Sequence, residues 1–232
     1  MRKLVLLLIV LIACTPQPLQ VPYVKQSGPS CVEAAMAMAL AYFNIGAFST
    51  EELDELVGRT HKEWTWFSQA LPVLHGLGLD VDYYSLSPYD KLTPEYVLEY
   101  YGPNIGSTIN SVTDWDELYK SIDYLKNSPG YHPRLLTWEE IESAVNKGWL
   151  VILLIDSNVL YNGGGSFGGH AAVITGISGG TVTFHDSAKG PDQITTKEKM
   201  ISAWSAKGTD NDAFIVKGRD QDFSRRPTPT KL

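Results

Sequence analysis

Cysteine is nearly absent. The 232 residues contain two, Cys14 and Cys31, too few for the disulfide framework that staples small secreted domains. Basic runs are missing too. Lys and Arg total 19 against 26 Asp and Glu, for a net charge of −7, which removes the electrostatic footprint of a nucleic-acid-binding protein. The apolar run from Leu4 to Ile12 has nine residues, well short of the ~20 that cross a bilayer as a helix. His61, His75 and His132 show no metal-ligand spacing. Gly163-Gly164-Gly165 lacks the following Lys-Ser/Thr and the strand–helix setting of a phosphate loop. No cofactor is expected. What remains is 44% hydrophobic and 19% charged, the composition of one globular domain with a real core. No internal repeat breaks it up.

The amino terminus reads as a targeting segment. Arg2 and Lys3 precede the apolar run, which ends in Leu11-Ile12-Ala13-Cys14. This resembles a bacterial lipobox, in which the chain is cut before the cysteine and the thiol receives lipid. The expected organisation is a lipoprotein signal peptide over 1–13, a tether over 14–20, a folded domain over 21–218 and a polar tail over 219–232. Loss of Arg2 and Lys3 takes the mature charge to −9. The protein is expected to be exported and held at the cell membrane through Cys14. Lipid on Cys14 would leave Cys31 without a disulfide partner, and an unpaired thiol in an oxidising compartment needs a reason.

The domain divides into helices, then strands. A helix from Cys31 to Phe43 is apolar almost all round, with Glu33 its one charge, and so belongs in the core. Ser49 and Glu52 form a capping box for a second helix ending at Leu56, and Thr137 and Glu140 form one for a helix ending at Lys147. Further helices are predicted over Trp66–Leu74, Pro94–Tyr101 and Asp114–Leu125. The stretch from Val81 to Tyr131 is rich in tyrosine, as packing or as a cleft wall. Trp149–Asp156 reads as a fully buried strand. Tyr161 to Gly169 reads as a loop beside the site. His170–Ile177 and Thr181–Asp186 form a hairpin, and Ala213–Lys217 is the last strand. This order predicts an α+β domain.

Cys31 opens its helix after Pro29 and Ser30, which are start signals; Ser30 can cap. A thiol at the positive end of a helix dipole is favoured as thiolate, the reactive form. A three-residue turn, Ser178-Gly179-Gly180, would pair Ile177 with Thr181, Ile174 with Phe184 and Ala172 with Asp186. His170 and Asp186 would then be diagonal neighbours on one face, with His185 on the other. A two-residue turn would shift the register and separate them. An imidazole can take a thiol's proton, and a carboxylate behind it fixes its tautomer. Gln26, five residues before Cys31, could join the Cys31 backbone N–H in holding an oxyanion.

Gln26-x4-Cys31 on a buried helix, Gly169-His170 leading a strand and Asp186 ending the next resemble the papain-like cysteine peptidases, in particular the branch of double-glycine, bacteriocin-leader peptidases. The likeness runs from about Val21 to Val216. It implies a papain-like α+β fold with the cysteine on an amino-terminal central helix and the histidine and aspartate on a carboxy-terminal antiparallel sheet. It assigns Cys31 as nucleophile, His170 as general base and then acid, Asp186 as the orienting residue and Gln26 as oxyanion donor. The expected substrate is a peptide or protein. Val32 stands where the family usually has glycine, and Ser187 where it usually has proline. A cell-wall amidase or acyl transferase would share these residues, and a surface-displayed binding protein could keep the fold without turnover.

Overall fold

A computed structural model of the chain describes residues 17–59 and 64–221. Cys14, the apolar run before it, His61 and most of the polar tail lie outside the described residues.

The helix of the nucleophile candidate, α1 (Cys31–Tyr42), is buried on all sides from Val32 to Leu40. It is followed by α2 (Thr50–Val57) and α3 (Phe67–Gly76), then β1 (Leu79–Tyr84). Three helices come next, α4 (Pro94–Tyr101), α5 (Pro103–Val112) and α6 (Trp115–Lys126), and then a short β2 (Tyr131–His132). The second half holds α7 (Trp138–Asn146), β3 (Leu150–Asp156), α8 (Ser157–Asn162), β4 (Gly169–Ser178), β5 (Thr181–Asp186), β6 (Gly190–Thr196), α9 (Lys197–Trp204) and β7 (Ala213–Arg219). The Ser49–Glu52 and Thr137–Glu140 capping boxes both form.

Among the described residues, seven strands make one sheet in the order β2-β1-β7-β3-β4-β5-β6, antiparallel except for β1–β2. From Leu150 to Ile155 β3 is apolar because both its faces are covered. Ile152 packs with α1 and α3 on one side, while Val151, Leu153 and Ile155 pack with α7 and α9 on the other. The division into helices followed by strands is therefore incomplete. β1 lies within the helical half and pairs with β7 from the far end of the chain. Its sequence, Leu-Asp-Val-Asp-Tyr-Tyr, alternates as a strand should, but it sits at the start of the tyrosine-rich stretch. Tyr83 and Tyr89 are buried there and share a hydroxyl contact of 2.6 Å, so those two rings serve as packing.

The hairpin departs from expectation and arrives at the same place. Ser178 pairs with Thr181, leaving a two-residue turn of Gly179 and Gly180. Both have positive φ, +56° and +79°, as a tight primed turn requires. Alone, that turn would move every partner by one. A bulge between Ile174 and Gly176 takes up the difference, and beyond it Ile174 faces Phe184 and Ala172 faces Asp186. The carbonyl of Thr175, the extra residue, accepts the Leu19 N–H at 2.7 Å. The segment read as a tether is therefore already seated on the sheet at Leu19.

Candidate active site

α1 begins without a side-chain cap. The Ser30 hydroxyl donates to the Ser27 carbonyl at 2.6 Å and accepts from Arg59 at 2.7 Å, so it does not cap as expected. Arg59 is held in turn by Asp54 and by Glu33. Glu33, the one charge of this helix, is fully buried. It accepts a hydrogen bond from Thr65, and burial is the main cause that raises its carboxyl pKa. This network fixes the start of α1 against the segment after α2. The partners of Glu33 lie 26 and 32 residues downstream, with no local signal to announce them.

Cys31 is a free, half-buried thiol. It lines a cavity of about 150 Å³ together with Gln26, Val32, Gly169 and His170. α1 packs on the sheet face that carries Ala171 and Val173, whereas Ala172 and Ile174 belong to the opposite face. His170 is the second residue of β4 and Asp186 the last of β5. His170 and Cys31 line the same cavity, with His170 at the end of its strand.

The His170 Nε2 lies 2.9 Å from Asp186 Oδ1. That contact leaves Nδ1 as the ring nitrogen not engaged by Asp186. Burial alone would lower the imidazole pKa. Hydrogen bonds to Asp186 and to the Cys31 thiol override it and hold the pKa up at about 10. Asp186 is pulled the other way. Burial would raise its carboxyl, but His170, Tyr161 and the Lys189 N–H keep it well below the usual carboxylate range. The Tyr161 hydroxyl donates to Oδ2 at 2.5 Å, and the backbone N–H groups of Ala188 and Lys189 donate to Oδ1 at 2.8 and 2.9 Å.

Sequence reasoning missed Tyr161. It lies on α8, not in a loop, and the Asp156 carboxylate starts that helix by accepting from the Asn158 and Val159 N–H groups. An Asp followed by Ser-Asn at the end of a strand was the available signal.

Gln26 stands beside the same cavity. Its Oε1 accepts from the Ser187 hydroxyl at 2.7 Å, and its Nε2 donates to the Gly28 carbonyl at 2.6 Å. The backbone N–H of Gln26 also donates to the Ser187 carbonyl. A carboxamide has two N–H donors, so one remains. Ser187 occupies the position where the family usually has proline, and its hydroxyl orients the amide. His185 sits on the other face, bonded to the Val21 carbonyl and the Asp192 N–H.

Residues 18–211 match the model of the Peptidase_C39 like family. The chain belongs to that family. Membership makes it a peptidase of the cysteine type by class, and its α+β fold is papain-like. No curated protein sequence matches it. One similar solved structure is a double glycine motif protease from an AMS/PCAT transporter in complex with the leader peptide. It is 16% identical with a TM-score of 0.47, covering 87% of this chain and 94% of that one. Another is the peptidase domain of Streptococcus ComA, a bi-functional ABC transporter of a quorum-sensing pathway. It is 14% identical with a TM-score of 0.47, covering 85% of this chain and 98% of that one. Overlaps this loose carry no chemistry from those chains to this one.

Proposed function

We propose that this family member hydrolyses peptide bonds through Cys31, His170 and Asp186. The Cys31 sulfur attacks the scissile carbonyl carbon as the thiolate, with the proton resting on His170. The oxygen gains negative charge and is held by the Cys31 backbone N–H, at a helix start that no side chain caps, and by the remaining N–H of Gln26. His170 then gives its proton to the leaving amine, and the carbon–nitrogen bond breaks. Water, activated by the same imidazole, releases the acyl group from sulfur. Asp186 holds the ring in one tautomer and supports its charge throughout. Val32 is buried in the wall beside the thiol.

One observation carries the reading: a single imidazole, held by Asp186 at 2.9 Å, lines the same cavity as the only free thiol among the described residues. Iodoacetamide at neutral pH is expected to label Cys31 and abolish hydrolysis of a casein or peptide substrate. Full activity in Cys31→Ala would overturn the assignment. An amidase or acyl transferase would instead leave peptides intact and turn over cell-wall fragments or acyl donors.

We also propose that Cys14 is lipidated and that the domain is displayed outside the cytoplasm. The sequence around Cys14 supports this. Incorporation of labelled palmitate that persists in Cys14→Ser would refute it.

A further inference from the structure

The cavity at Cys31 extends beyond the reacting groups. Its walls are the rings of Trp64, Trp66 and Phe167 with Ile109, and two carboxylate residues, Asp210 and Asp212, complete the lining. Apolar walls that meet a pair of acids are unlike a site for a small or purely apolar residue. At about 150 Å³ the space admits one benzene-sized group, which is one side chain rather than a stretch of peptide.

The two acids differ in how they are satisfied. Asp210 Oδ2 accepts from Ser87 at 2.6 Å and from Tyr101. Asp212 is 2% exposed and its Oδ1 has no hydrogen-bond partner. Its backbone is pinned, for its carbonyl accepts from both the Leu154 N–H and the Trp204 indole. Asp210 and Asn211 both take left-handed backbone, φ 50° and 53°, a conformation that Asn and Asp tolerate better than other side chains. Ser85 and Tyr83 hydrogen-bond the Asp212 carboxyl, which leaves Oδ1 as the oxygen still unsatisfied in a residue of the cavity lining; such an oxygen calls for a donor from whatever fills the cavity. Among the described residues no group of three or more His, Cys, Asp or Glu could hold a metal ion.

We propose that this cavity is a specificity pocket that takes one cationic side chain of the substrate, lysine or arginine, its stem along the Trp64, Trp66 and Phe167 rings and its charged head at Asp210 and Asp212. The assignment rests on the reading of Cys31 as nucleophile, since the pocket opens beside that thiol. A cation suits the pair better than a neutral donor does. Burial is the main force raising both carboxyls, and the charge of Asp210 raises Asp212 further. A bound cation offsets both effects and favours the charged form of the pair. The aromatic walls suit an alkyl or guanidinium stem as well.

The test uses the full chain and a set of fluorogenic hexapeptides in which lysine, arginine, norleucine or glutamate occupies one position at a time. At one position, lysine or arginine is expected to raise kcat/KM about tenfold or more over norleucine. Asp210→Asn and Asp212→Asn should each lower that ratio. A norleucine preference, or a ratio unchanged in both variants, would overturn the proposal. A second measurement is free of turnover. In Cys31→Ala, tryptophan fluorescence should report tighter binding of the lysine peptide than of its norleucine twin; equal binding, or saturable binding of neither, would count against the pocket. If no peptide is cleaved yet the lysine preference in binding holds, the peptidase reading fails and the pocket stands. Cleavage without that preference does the reverse.

Discussion

Asp186 and Asp212 are both nearly inaccessible to solvent, at 1% and 2%, and they are driven in opposite directions. Asp186 accepts from an imidazole, a phenol and two backbone amides. Its carboxyl is held far below the ordinary range. Asp212 has only the hydroxyls of Ser85 and Tyr83 to donate, one oxygen with no partner and a second acid nearby, and its carboxyl is held well above that range. Burial is the first cause at both sites and has the same sign at both. The donors decide the outcome. The first acid is built to stay charged beside a cation that the protein supplies. The second is left waiting for one.

The sharpest way to break this contrast is to remove the charge at Asp186. Asp186→Asn keeps the shape but loses the support for imidazolium. It is expected to lower kcat/KM by about 10²–10⁴, measured in steady state. In the unaltered protein the alkaline limb of kcat/KM should follow loss of the His170 proton near pH 10. In Asp186→Asn that limb should move down by more than one pH unit. An unmoved limb would mean that Asp186 does not set the charge on the ring. Tyr161→Phe removes one of four donors to Asp186 and should cost about tenfold in kcat/KM, in line with a hydrogen bond to a charged group. A wild-type rate would reduce the Tyr161 contact to packing.

The smallest effect is in stability, and the two acids should show it with opposite sign. Asp212 has a folded pKa above its unfolded one, so the folded state binds more protons. Stability then falls as pH rises from the ordinary carboxylate range towards the folded value. Asp186 has a depressed folded pKa, so its contribution is present above the unfolded value and lost as pH falls through the folded one. Urea unfolding at pH 5 and pH 8 should therefore show Asp212→Asn gaining on the unaltered protein between those values. No relative gain would mean that Asp212 is ionised without strain.

The legible parts of the molecule were those whose causes are local. Capping boxes at Ser49 and Thr137, the apolar β3 and the buried α1 each carry their signal within a few residues. The residues around the thiol were legible for a related reason, because Gln26 precedes Cys31 by one turn and the hairpin brings His170 near Asp186. Long-range partners left no such mark. The pairing of Arg59 with Glu33, the reach of Tyr161 to Asp186 and the placement of Asp210 and Asp212 beside the cysteine all follow from packing between distant segments. The turn of the β4–β5 hairpin was misread because Ser178 looks like a turn residue, and a bulge has no simple composition.

That bulge has a consequence for how the protein can change. Turn length and bulge offset one another between the tip and Ile174, so the tip at Gly179-Gly180 can gain a residue while His170 and Asp186 keep their places. The hairpin end is thus a mechanical buffer between a tolerant surface and an intolerant centre. It is where an inserted fluorophore or affinity handle should leave the chemistry least disturbed.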